Sequence, residues 1–135
     1  MAPVYDIDTV NAYIQRNELL LELGFISYRQ YLRSALWKGI RANKLKRDTK
    51  CYGCSKRAQQ VHHGSYSLVS LTGKSAKDLW SVCKRCHQWI EFTKDGYKRD
   101  PKEATDELKR IHRIYWPKHR NRIDRRPIMI IKPIA

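Results

Sequence analysis

At 135 residues the chain has room for one domain with appendages around one modest core. Its 28 Lys and Arg against 13 Asp and Glu leave a formal net charge of +15, which points to polyanionic partners, nucleic acid first and an anionic membrane surface second. No long apolar span or signal peptide is visible, so the expectation is a cytoplasmic protein with no membrane partner, in which cysteines stay reduced and serve as metal ligands rather than disulfides.

The pattern predicts an amphipathic helix over 8–23, with Asp8 or Thr9 as cap. Val10, Tyr13, Ile14, Leu20, Leu21 and Leu23 form its apolar set and Gly24 is its stop. With Asp6, Asp8, Glu18 and Glu22 against Arg16, the segment 1–26 is acidic. It reads as a helix capping the core, turned away from DNA or paired with the basic body. A second helical region, 27–47, places Tyr28, Tyr31, Leu32, Leu36, Trp37 and Ile40 at helical spacing, with a break near Ser34, which can cap the second half. That stripe reads as core before it reads as a base-stacking platform. Its other face carries Arg29, Arg33, Lys38, Arg41, Lys44, Lys46 and Arg47, either solvated or tracking a phosphate backbone.

The next stretch carries the chemistry. Cys51-Tyr-Gly-Cys54 and Cys83-Lys-Arg-Cys86 are two knuckles that suit one tetrahedral Zn²⁺ and account for all 4 cysteines. A short strand over 60–62 would send His62 and His63 to opposite sides, leaving one imidazole for a metal and one free. If a helix starts at Cys86, His87 and Glu91 share one of its faces and can meet the same ion as His62, in a donor set with open positions. The duller alternatives are that His62 packs in the core, that His87 only supports the zinc site, and that Glu91 is solvated. Between them, 64–77 reads as a loop leading to a hairpin partner strand, with Lys74 and Lys77 near the cleft. After a turn at Asp95-Gly96, a helix capped by Asp100 with Pro101 at its first position should run to about Tyr115 and stop at Pro117, with His112 on its surface. The segment 118–126, containing Arg120, Arg122, Arg125 and Arg126, is basic and suits a phosphate backbone. The apolar residues 127–135 suit a sheet edge or a second subunit.

From Tyr31 to Glu91 the sequence resembles the HNH nucleases that carry a four-cysteine zinc site. The shared features are Tyr31-Leu32-Arg33-Ser34 with Trp37 and Arg41, both knuckles, the His62-His63 pair followed by Tyr66, Gly73, the Asp78-Leu79 step and Cys86-His87. The resemblance implies an α+β fold: a ββα-metal (HNH) core over 27–96 with a treble-clef-like zinc site, flanked by the N-terminal helix, a C-terminal helix over 97–117 and a tail over 118–135. It implies His62 and His87 as ligands of a catalytic Mg²⁺, Mn²⁺ or Zn²⁺, His63 as general base, and Asp78 as the residue holding the loop between strand and helix. Glu91 departs from the pattern, since many members with this spacing have His there; a carboxylate bears on which metal is preferred.

The implied activity is hydrolysis of double-stranded DNA to 5′-phosphate and 3′-hydroxyl ends, as an endonuclease or a nicking enzyme. The implied setting is a small phage or mobile-element protein used in homing, packaging or interference. The tail or another protein of such an element supplies the candidate contact for a homodimer or complex. A non-catalytic zinc-bearing DNA-binding or adaptor protein is the competing expectation.

Overall fold

The computed structural model describes residues 3–120, which form an α+β unit. Strand β1 (Val4–Tyr5) leads into helix α1 (Ile7–Glu22). The cap is Asp6, ahead of the expected position, because its carboxylate accepts from Thr9 N at 2.9 Å. Thr9 is thereby drawn inside and donates to Lys98 O at 3.1 Å. The packed stripe runs through Thr9, Tyr13, Arg16, Leu20 and Leu23, whereas Val10, Ile14 and Leu21 stay exposed. Two apolar stripes lie side by side on this helix, and the one that carries the aromatic and the arginine faces the body. Gly24, at φ +94°, ends the helix as expected, with Gly24 N on Leu21 O and Phe25 N on Leu20 O.

Helix α2 (Tyr28–Leu32) is capped by Ser27, and α3 (Ala35–Arg47) by Ser34, whose Oγ accepts from Trp37 N at 3.1 Å. The expected break is therefore a second N-cap. Tyr31 and Trp37 are buried as core, while Leu32 and Leu36 are not. Strand β2 (Gln60–His63) follows the first cysteine knuckle. Before its antiparallel partner comes a short helix α4 (Leu68–Leu71), where a loop was expected, nucleated by Ser67 Oγ accepting from Ser70 N. The partner, β3 (Leu79–Val82), pairs Val61 with Ser81 and His62 with Trp80.

Helix α5 (Lys84–Glu91) starts ahead of Cys86, capped by Cys83, whose Sγ accepts from Cys86 N at 3.3 Å. Strand β4 (Tyr97–Lys98) then runs parallel to β1, a pairing with no signal in such short segments. Helix α6 (Pro101–Arg120) opens with reciprocal bonds between Asp100 and Glu103. It continues through Pro117, contrary to expectation.

The β2–β3 ribbon divides the interior, so there are two buried clusters instead of one core. Leu20, Tyr31, Trp37, Val61, Leu71 and Leu79 pack on one side. Val82, Ile90, Ala104, Leu108, Ile111 and Tyr115 pack with three of the cysteines on the other. Alternation along the strands sends neighbours to opposite clusters. No described helix is long and apolar enough to cross a membrane. The residues expected to contact phosphate at Arg122, Arg125 and Arg126, and the apolar segment 127–135, lie outside the described residues.

Gly73 closes the turn after α4 at φ +78°, and a Cβ there would stand 2.7 Å from Ile40 Cγ1. Gly73→Ala should lower unfolding stability by about 2 kcal/mol through backbone strain and overpacking, measurable by urea denaturation.

Candidate metal centres on the ribbon

The first knuckle is a tight loop: Lys50 bridges Arg57, Cys51 N donates to Lys56 O at 2.6 Å, and Ser55 N donates to Cys51 O at 2.9 Å. Ser55 takes φ +66°, a conformation that a non-glycine residue holds only against resistance. Cys83 ends β3 and Cys86 sits in the first turn of α5, so both thiols face the knuckle. The four Sγ atoms lie within 4.8 Å of one another, Cys54 and Cys83 at 3.6 Å, and three of the residues are buried. Hydrogen bonds from Cys51 draw the Cys54 thiol down to about 7 and lower Cys83, while Cys51 and Cys86 rise as the donors of such bonds. Four mutually close sulfurs with no other donor fit a closed structural zinc site.

On the same side of the ribbon, His62, His87 and Glu91 offer ligand atoms within 4.8 Å of one another. Their tautomers are set by neighbours. Thr105 Oγ1 gives its hydrogen to Pro101 O at 2.8 Å, so toward His62 Nε2, at 2.9 Å, it accepts, which leaves the lone pair on His62 Nδ1. Gln60 Oε1 lies 2.5 Å from His87 Nδ1, which accordingly carries hydrogen, leaving His87 Nε2 to face Glu91 Oε1 at 3.3 Å. Two imidazoles and one carboxylate this close together fit a divalent ion with open positions. Glu91 is also paired with Lys98 at 2.5 Å. Burial would raise the Glu91 carboxyl, but the His87 and Lys98 contacts outweigh it and hold it at about 2. Arg99, donating to the carbonyls of Trp89, Ile90 and Phe92, fixes the end of α5 that presents Glu91.

His63 points to the opposite cluster, as alternation requires, but it is not the free imidazole expected. Only 4% exposed, it packs against Trp37 at 4.5 Å between ring centroids and meets the Tyr28 hydroxyl through Nδ1 at 3.1 Å. Its Nε2 is buried with no hydrogen-bond partner. Burial lowers its pKa to about 3, and that of His62 to about 4. Both rings nonetheless line one cavity of about 480 Å³ that follows the unpaired edge of β2. The same cavity holds Arg16, Arg41 and Lys98. Arg16 sits over the rings of Tyr28 (4.0 Å), Tyr13 (4.5 Å) and Tyr66 (5.1 Å), and so brings a cation to the cleft from the helix that looked acidic.

Neither a family model, nor a curated protein, nor a solved structure matches this chain. The functional reading therefore rests on the residues and their geometry.

The other expected residues divide unevenly. Arg41 reaches the cavity and donates to Gln59 O at 2.5 Å. Asp78 ties down the segment after β2, accepting Gly64 N at its carbonyl (2.7 Å) and Ser65 Oγ at its carboxylate (3.3 Å). Arg33 and Lys74 are exposed and line neither this cavity nor the one beside β3, and Lys44 is paired with Asp48. Lys77 faces the cavity beside β3 instead of the metal cleft. Arg120 lies within α6. His112, expected on the surface, stacks on Tyr52 with ring centroids 4.1 Å apart and bonds Tyr52 O at 2.8 Å through Nδ1. Arg16, Lys98, Gln60 and Thr105 were missed because each comes from a segment distant in sequence or reads as an ordinary surface residue.

Chelation should remove one zinc per chain with loss of cooperative melting, and Cys83→Ser should reproduce the effect; metal analysis and calorimetry check both. Since His62 and His63 reject protons that the unfolded chain accepts near pH 6.5, stability is complete above that pH and falls as acid is added. Between pH 6.5 and about 4 the loss approaches about 1.4 kcal/mol per ring for each unit. His63→Phe should halve this acid sensitivity in denaturation midpoints taken at neutral pH and near pH 5.

Proposed function

We propose that the chain is a metal-dependent DNA endonuclease or nicking enzyme of the HNH type, hydrolysing phosphodiester bonds at the cavity beside β2. The observation that carries this reading is that His62, His87 and Glu91 bring two imidazoles and a carboxylate within 4.8 Å of one another, in a cleft that also holds Arg16, Arg41 and Lys98. The ribbon followed by α5 suits a ββα-metal core, with the cysteine site holding α5 in place. A divalent ion held by these three residues would neutralise the scissile phosphate and stabilise the departing 3′ oxygen. Arg16, Arg41 and Lys98 hold the phosphate backbone of duplex DNA along the strand edge.

His63 is the candidate base. Its Nδ1 lies 3.1 Å from the Tyr28 hydroxyl, its Nε2 is buried with no hydrogen-bond partner among the described residues, and burial keeps the ring neutral at physiological pH. A ring of such low basicity is a weak acceptor, so the reaction requires the cover of Arg16, Tyr28 and Tyr66 to shift and admit water, which raises its pKa towards the ordinary value. The burial of His63 is also the observation that favours a second reading, a zinc-bearing DNA-binding protein with no hydrolytic step.

Incubation with supercoiled plasmid separates the two. The wild type should nick with Mg²⁺ or Mn²⁺ and stop with EDTA, His62→Ala and His87→Ala should be inactive, and His63→Ala should be slower by about 10²–10⁴-fold. Absence of cleavage with any ion would leave the binding protein as the correct reading. Duplex affinity should fall with salt at a log–log slope of about −0.9 per phosphate neutralised.

A further inference from the structure

On the other side of the ribbon, beside β3, where Tyr52 N donates to Ser81 O at 2.8 Å, lies a second cavity of about 690 Å³, a size within the range of small-ligand sites. Its wall combines the cations Arg47, Lys50 and Lys77 with the rings of Tyr52, Trp80 and Trp116. None of these three cations forms an ion pair with a described residue, whereas the neighbouring Lys44 is neutralised by Asp48 at 2.5 Å. Tyr52 and Trp116 are held in place: Trp116 Nε1 and His112 Nδ1 both meet Tyr52 O, and His112 stacks on the Tyr52 ring. Rigid aromatic surface and unpaired positive charge therefore occur together, outside the cavity that His62, His87 and Glu91 line.

We infer that this cavity is a second nucleic-acid subsite, which takes an unpaired nucleotide of a single strand. A base contributes a π face to the rings, and its flanking phosphates meet Arg47, Lys50 and Lys77. An acidic peptide would satisfy the cations but not the indoles. A duplex would offer phosphates while keeping its bases stacked inside. The assignment does not depend on the hydrolytic reading, since none of these residues belongs to the His62 cleft.

The test is a titration of the zinc-loaded full chain with a short oligothymidylate, followed by tryptophan emission. Binding should quench emission, and the double variant Arg47→Glu with Lys50→Glu should bind at least about tenfold more weakly. A control of equal charge change, Arg33→Glu with Lys74→Glu, should lose far less, because those side chains line neither cavity. Melting curves of both variants establish that the fold is intact. His62→Ala should keep the quench while losing metal-dependent nicking, so that failure of this subsite and failure of the hydrolytic reading are told apart. Absence of quenching, equal weakening by the two double variants, or equal competition by polyglutamate would each overturn the proposal.

Discussion

The arrangement depends on the closure of four sulfurs around one point. Cys51 and Cys54 come from a loop, Cys83 ends a strand and Cys86 begins a helix, so the cluster joins three kinds of backbone. Cys83 does this twice over, as cluster member and as helix cap. Because α5 starts at that point, the cysteine geometry sets its rotation, and the rotation puts His87 and Glu91 opposite His62. Leu108, Ile111 and Tyr115 of α6 pack the cluster from outside, where a chain of this size has few other apolar residues to spend.

The second constraint is alternation along β2. Adjacent imidazoles must leave a strand on opposite faces, and here each face meets a different environment. His62 bonds Thr105 and lies beside His87 and Glu91, whereas His63 enters an aromatic cluster with Tyr28, Tyr31, Trp37 and Tyr66. Among the described residues the strand has one partner, and both environments open towards a single cleft. Charge reaches that cleft from three separate elements: Arg16 from α1, Arg41 from α3 and Lys98 from β4.

Much of this was legible in the residues. The cysteine spacing, the His62-His63 pair and the helical offset of His87 and Glu91 each encode a local geometry, and the two clusters of potential ligand atoms follow from those offsets. Ser34 and Asp100 announced their helices because a cap needs only a side chain near its own backbone. What could not be read was long-range. The β1–β4 pairing joins two-residue strands from distant parts of the chain. The choice between two apolar stripes on α1 depends on what the rest of the fold presents, and so does the burial of His63, whose neighbours Tyr28, Trp37 and Tyr66 arrive from three other segments. Gln60 and Thr105 matter only through the tautomers they impose.

The pairing of β1 with β4 has a consequence for how the cleft is tuned. Tyr5 lies in register with Lys98, whose ammonium neutralises Glu91, and Thr9 holds the Lys98 carbonyl. The leading segment thus acts as a splint on the cation that competes for the Glu91 carboxylate. Unpairing β1 from β4 would loosen that cation without touching His62, His87 or Glu91.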